Sequence, residues 1–112
     1  MGVIKFKEKV LITTPIYYIN DVPHIGHTYT TVAADILARW YRLKENDVLF
    51  LTGLDENSVK TVQAAKELGI KDIQKYADLM AEKWEKTWKA LDISNDDFIR
   101  TTEDRHKENV KR

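Results

Sequence analysis

The chain has 112 residues, 43% hydrophobic and 32% charged, with Lys+Arg and Asp+Glu at 18 each. That is one domain with enough apolar material for a core, and its balanced charge gives no argument for a nucleic-acid or acidic-membrane surface. The absence of cysteine excludes disulfides and thiolate zinc sites. The first residues, MGVIKFKEKVLITT, lack the apolar run and cleavage site of a signal peptide. No stretch approaches the roughly 20 apolar residues that cross a bilayer, so a cytoplasmic protein is the expectation.

In chain order, Val10-Leu11-Ile12-Thr13-Thr14 is a non-alternating apolar run closed by Pro15. It predicts a strand buried on both faces. A loop rich in Pro, Tyr and His follows. Val32, Ile36, Trp40 and Leu43 then recur at steps of four, four and three, predicting a helix from about Thr28 to Lys44 with that stripe inward. Val48-Leu49-Phe50-Leu51-Thr52 repeats the strand pattern and stops at Gly53. The sum is a βαβ unit, expected to be parallel and right-handed, and an α/β fold class.

Val59, Val62, Ala65 and Leu68 predict a second helix, with Gly69 as its C-terminal stop. Ile73, Tyr76, Met80, Trp84, Trp88 and Leu91 form the stripe of a longer one. Two tryptophans on such a stripe read as core before they read as a ligand platform. Asp97–Thr101 predicts a third short strand, and Thr102 suits an N-cap for a polar helix starting at Glu103. That helix has almost no apolar face and reaches Arg112 without a C-cap, the pattern expected of a chain stopping in mid-element.

The loop TPIYYINDVPHIGH, residues 14–27, concentrates the chemistry. It leaves the carboxyl end of the first strand, where open parallel sheets bind ligands. Gly26 lets a flat ring lie on the backbone. His27 and Thr28 stand at a helix N-terminus that favours anions, and imidazole N–H groups of His24 and His27 can donate to phosphate. These features describe a nucleotide site that is neither a Walker A loop nor a Gly-x-Gly-x-x-Gly fingerprint. The histidines also read as helix-start residues satisfied by neighbouring carbonyls; a metal site would have only His106 as a further histidine. Of Tyr17 and Tyr18, strand alternation makes one core and the other a lining residue. Asp55 and Glu56, after the second strand, read either as a carboxylate for a substrate ammonium or as helix-start acids.

His24-Ile25-Gly26-His27 matches the HIGH motif of class I aminoacyl-tRNA synthetases. The run PIYYINDVPHIGHTYTTVAADILARWYRL, with FLTGLDE and FIRTT, resembles the methionyl-tRNA synthetase family from about Lys9 to Arg112. The resemblance implies the N-terminal half of a Rossmann-like nucleotide-binding fold. It implies a methionine–tRNA ligase that makes methionyl-adenylate from methionine and ATP with Mg2+, then charges tRNA(Met). His24 and His27 would contact ATP phosphates as catalytic residues, Gly26 would lie under adenine, and Asn20 would sit near the phosphates. Ile16 and Tyr18 would line the methionine pocket, and Asp55 would bind its ammonium. No protein-bound metal is implied for these residues; Mg2+ would be held by phosphates and water.

Two departures stand out. Asn57-Ser58 replaces the His-Gly common in the family, a loss of backbone freedom if position 58 needs positive φ. The lysine-rich Lys-Met-Ser-Lys-Ser-like loop, the connective insertion and the anticodon-binding helices have no counterpart in these residues. The expectation is half an active site, weakly active or inactive without the C-terminal half of the catalytic domain. The alternative is a non-catalytic module that binds a nucleotide or a partner.

Overall fold

The computed structural model describes residues 7–112; the part of the leader reading that falls on residues 1–6 lies outside them. Three strands, β1 (Lys9–Tyr18), β2 (Asp47–Asp55) and β3 (Asp97–Arg100), form a parallel sheet in the order β1-β2-β3. Helix α1 (Ile25–Leu43) joins β1 to β2; α2 (Val59–Glu67) and α3 (Ile73–Ala90) join β2 to β3; α4 (Asp104–Val110) follows. The α/β, Rossmann-like expectation is met.

Both strands extend past their expected stops. Pro15 lies inside β1, at an irregularity where pairing shifts from Thr13↔Leu51 to Ile16↔Gly53. A bulge on an edge strand is where a missing N–H is tolerated. The shift also re-phases β1: Ile12 and Thr14 are buried before it, Tyr17 and Ile19 after it, against Phe50, Thr52 and Leu54 on β2. The Thr14 hydroxyl donates to the Pro15 carbonyl at 2.9 Å and lies 2.6 Å from the Thr52 hydroxyl. Two polar side chains are thereby satisfied under the sheet.

Gly53 does not end β2. A Cβ there would stand 2.1 Å from the Ile99 carbonyl oxygen, so glycine permits β2 and β3 to meet at this point.

The expectation of strands buried on both faces fails among the described residues. Leu11 is 64% exposed and its register partner Leu49 is 50% exposed. Successive crossovers stepping in one direction across a sheet lie on the same side when both are right-handed, and the core occupies one face only. Tyr17, Leu54, Tyr76, Met80, Trp84 and Trp88 form its larger part, with Trp84 and Trp88 as core residues. Ile12, Ala38 and Phe50 form the smaller part, and Ile93 packs against both.

Two helical stripes were misplaced. On α1 the buried residues are Thr31, Asp35 and Ala38, while Ile36, Trp40 and Leu43 are exposed. Small residues let α1 approach the sheet, and Asp35 is buried because it is satisfied: it accepts from Ser94 N–H at 2.7 Å, from the Ser94 hydroxyl and from Arg39 Nε at 2.8 Å. On α2 only Ala65 of the expected stripe is buried, together with Thr61.

Gly69, at φ +71°, does close α2: its N–H meets the Lys66 carbonyl and that of Ile70 meets the Ala65 carbonyl, each at 2.9 Å. Thr102 does not cap α4. Glu103 occupies the N-cap without a side-chain capping bond, and the Thr102 hydroxyl donates to Glu56 instead.

Candidate functional site

The site is assembled where β1 ends and α1 begins. The connecting loop is tied to α3: the Tyr76 hydroxyl donates to the Ile19 carbonyl at 2.6 Å, and Trp84 Nε1–H to the Asp21 carbonyl at 3.1 Å. Tyr17 points inward, stacks on Trp84 with ring centres 5.3 Å apart, and shares a 3.0 Å hydrogen bond with Thr31. Tyr18, on the opposite face, is exposed, as alternation requires. Sequence reasoning found the tryptophans as core but missed that Trp84 also holds the loop.

Helix α1 starts at Ile25, three residues earlier than the apolar stripe indicates, because both histidines cap it. His24 is the N-cap; its Nδ1 accepts from Gly26 N–H at 3.0 Å, and His27 Nδ1 accepts from His24 N–H at 3.2 Å. The helix-start reading is therefore right in part, with backbone donors rather than carbonyls as partners. It does not compete with ligand binding. A neutral imidazole that accepts at Nδ1 carries its proton on Nε2, so each ring keeps one outward donor. The two rings lie 3.8 Å apart between centroids.

Burial, and then the neighbouring His24, lower the His27 pKa from the usual 6.5, against an upward pull from Asp21. His27 also lies 4.9 Å from Tyr17 and 4.8 Å from Trp84, ring centre to ring centre. It is held as a neutral donor. A Cβ at Gly26 would stand 2.9 Å from His24 Cε1, so Gly26 leaves room for the capping ring.

Ile16, Tyr18, Asn20, His24 and His27 line one cavity of about 360 Å³. Asp55 lines a second, of about 430 Å³, with Ile16, Asn57, Thr101, His106, Lys107 and Lys111. Ile16 belongs to both. Register pairs Ile16 with Gly53 and Tyr18 with Asp55, so the two cavities adjoin across the strand ends, although Tyr18 lines the histidine side. Gly26 is exposed on the first turn of α1 and lines neither. The basic residues of α4 were not anticipated, since their polar helix carried no motif.

Ser58 resolves one departure. Its φ is −136°, so the position needs no glycine, and its hydroxyl caps α2 by accepting from Thr61 N–H at 3.2 Å. Asn57 N–H donates to Asp55 Oδ1 at 3.1 Å, fixing the carboxylate locally. Among the described residues, no helix is long and apolar enough to cross a membrane.

The family model described as tRNA synthetases class I (M) matches residues 10–112. A methionine–tRNA ligase of Rickettsia felis is 56% identical over 104 residues, covering 93% of this chain and 20% of that protein. The Listeria monocytogenes serovar 1/2a methionine–tRNA ligase is 55% identical over 106 residues, covering 95% of this chain and 16% of that protein. A solved structure, Mycobacterium tuberculosis methionyl-tRNA synthetase in complex with methionyl-adenylate, superposes with a TM-score of 0.87 at 42% identity. That match covers 92% of this chain and 20% of the other. The chain thus spans a fifth or less of the length of these relatives. With a family model matched over nearly its whole length, the chain belongs to the class I (M) tRNA synthetases.

Proposed function

We propose that this chain is the N-terminal part of a class I catalytic domain and binds the two substrates of methionine activation. The observation that carries this reading is the pair of adjoining cavities sharing Ile16, one with both histidines and the other with Asp55. ATP occupies the histidine side as its magnesium complex, with Asn20 near the phosphates and the adenine extending beyond the cavity onto exposed Gly26. The Nε2–H groups of His24 and His27 donate to phosphate oxygens, and their fixed tautomer means that neither must reorganise as charge develops.

Methionine lies along Ile16 and Tyr18 with its ammonium on Asp55. Its carboxylate oxygen attacks the α-phosphorus as the bond to the bridging oxygen breaks, giving methionyl-adenylate and pyrophosphate. No proton moves in that step, so the residues act by position and charge. Transfer to the 3′ end of tRNA(Met) follows in the complete cytoplasmic enzyme. The complete site needs a lysine-bearing loop from the C-terminal half, and this chain alone is slow or inactive.

The test is methionine-dependent ATP–pyrophosphate exchange by the chain alone and after joining it to the remaining sequence of a relative. The expected result is exchange only in the joined protein, lost in His24→Ala or His27→Ala by about two orders of magnitude or more. Exchange unaffected by both substitutions contradicts the assignment.

A further inference from the structure

The run FIRTT, residues 98–102, marks the family resemblance yet has no part in the site as described. In the fold its last three residues all converge on Glu56. Arg100 Nε donates to Glu56 Oε1 at 2.6 Å, the Thr102 hydroxyl donates to Oε2, and Glu56 N–H donates to the Thr101 hydroxyl at 2.8 Å. Arg100 is also held by Asp78 of α3, its Nη2 donating to Oδ1 at 2.6 Å. The Glu56 side chain is fully buried.

Alternation beyond the end of β2 sends its neighbour the other way. Asp55 lines the second cavity and, among the described residues, its carboxylate receives only the Asn57 N–H. It makes no ion pair among the described residues. Two adjacent carboxylates thus have opposite fates: one is saturated, and one is left open.

A buried ion pair adds little net stability compared with apolar packing, so stability alone does not explain this arrangement. It fixes both the side chain and the backbone of the residue that directly follows Asp55. From this geometry we infer that Glu56, Arg100, Thr101 and Thr102 are positioning residues for substrate ammonium recognition. Arg100 and the two threonines hold Glu56 by side chain and backbone, and so fix the strand end from which Asp55 projects. The inference rests on Asp55 being the ammonium ligand. The cations that also line the cavity, Lys107 of α4 and Lys111 at its C-cap, are untouched by the substitutions below.

The kinetic test uses the chain joined to the remainder of a relative. Glu56→Gln keeps shape but weakens the bonds from Arg100 and Thr102, and should raise the KM for methionine about tenfold while kcat and the KM for ATP stay within about twofold. Arg100→Gln, which breaks the same ion pair from the other side, should raise the KM for methionine by a similar factor. Thr102→Val, which removes one hydrogen bond, should raise it about threefold. Equal rises in both KM values, or a KM for methionine unchanged in both Glu56→Gln and Arg100→Gln, overturn the inference.

A second measurement uses this chain alone. In a ¹H–¹⁵N spectrum, Arg100→Gln and Thr102→Val, both remote in sequence, should each move the Asn57 amide, which reports the Asp55 carboxylate. An Asn57 amide unmoved by both substitutions overturns the inference. If the joined wild-type protein shows no methionine-dependent exchange, the proposed function fails, and the Asn57 amide still decides whether the clasp governs Asp55.

Discussion

Gly53→Ala is the substitution most directly set by the geometry. The added Cβ would lie 2.1 Å from the Ile99 carbonyl oxygen, 2.5 Å from Ile99 Cγ2 and 2.9 Å from the Ile99 carbonyl carbon. Two of the three are backbone atoms, so no side-chain rotation relieves the clash. Reaching ordinary contact distance requires the strands to part by on the order of 1 Å. Ladder hydrogen bonds near 2.9 Å would then open to about 3.9 Å, beyond any useful bond.

The pairs at risk are Leu51↔Asp97, Thr52↔Phe98, Gly53↔Ile99 and Leu54↔Arg100, all the pairing that holds β3 to β2. Overpacking of this kind, with part of a ladder lost at about 1 kcal/mol per bond, should cost about 2–4 kcal/mol. That is a large share of a small domain's stability. In urea the midpoint should fall by about 1–2 M at an ordinary slope for this size. A shift below about 0.3 M would refute the claim that glycine is needed for the β2–β3 approach.

Three further outcomes are expected. Because the His27 pKa is lowered in the folded chain by burial and then by His24, the unfolded state binds more protons on acidification. The contribution of His27 is present in full above 6.5 and is lost as pH falls through the lower folded value. Urea midpoints between pH 8 and 5 should therefore drop in the wild type, and the His27 part of that drop should vanish in His27→Gln. Ser58→Ala should cost about 1 kcal/mol through the lost cap on α2, whereas Ser58→Gly should cost only a few tenths, as read by chemical denaturation. Asp35→Asn, which weakens the bonds from Ser94 and Arg39 tying α1 to the α3–β3 connection, should cost about 1–3 kcal/mol in the same assay.

What the sequence made legible follows from the signal each element carries. The α3 stripe was readable because Tyr76, Met80, Trp84 and Trp88 are large and regularly spaced, and all are buried. The α1 stripe misled because its inward face is built from Thr31, Asp35 and Ala38. Apolar periodicity cannot register a buried aspartate whose partners lie about 60 residues away, at Ser94. Continuous apolar runs announced parallel strands but not the open face at Leu11 and Leu49, since a run has no way to specify what covers its second side.

At the site, the loop position and the histidine spacing pointed to the junction of β1 and α1, where both histidines line one cavity. The division of each imidazole into a capping nitrogen and an outward donor required the backbone geometry. The Glu56 clasp was invisible for the same reason: it joins residues 44–46 positions apart and depends on β2 and β3 being neighbours.

The central claim is that both substrates of methionine activation meet across Ile16. Titrating the ¹⁵N-labelled chain with a non-hydrolysable methionyl-adenylate analogue tests it most directly. The account predicts shifts concentrated at Ile16, Tyr18, His24, His27 and Asp55, with Leu11 and Leu49 unmoved. Saturation of the ligand range with those five amides unchanged, or shifts confined to the open sheet face, would contradict it.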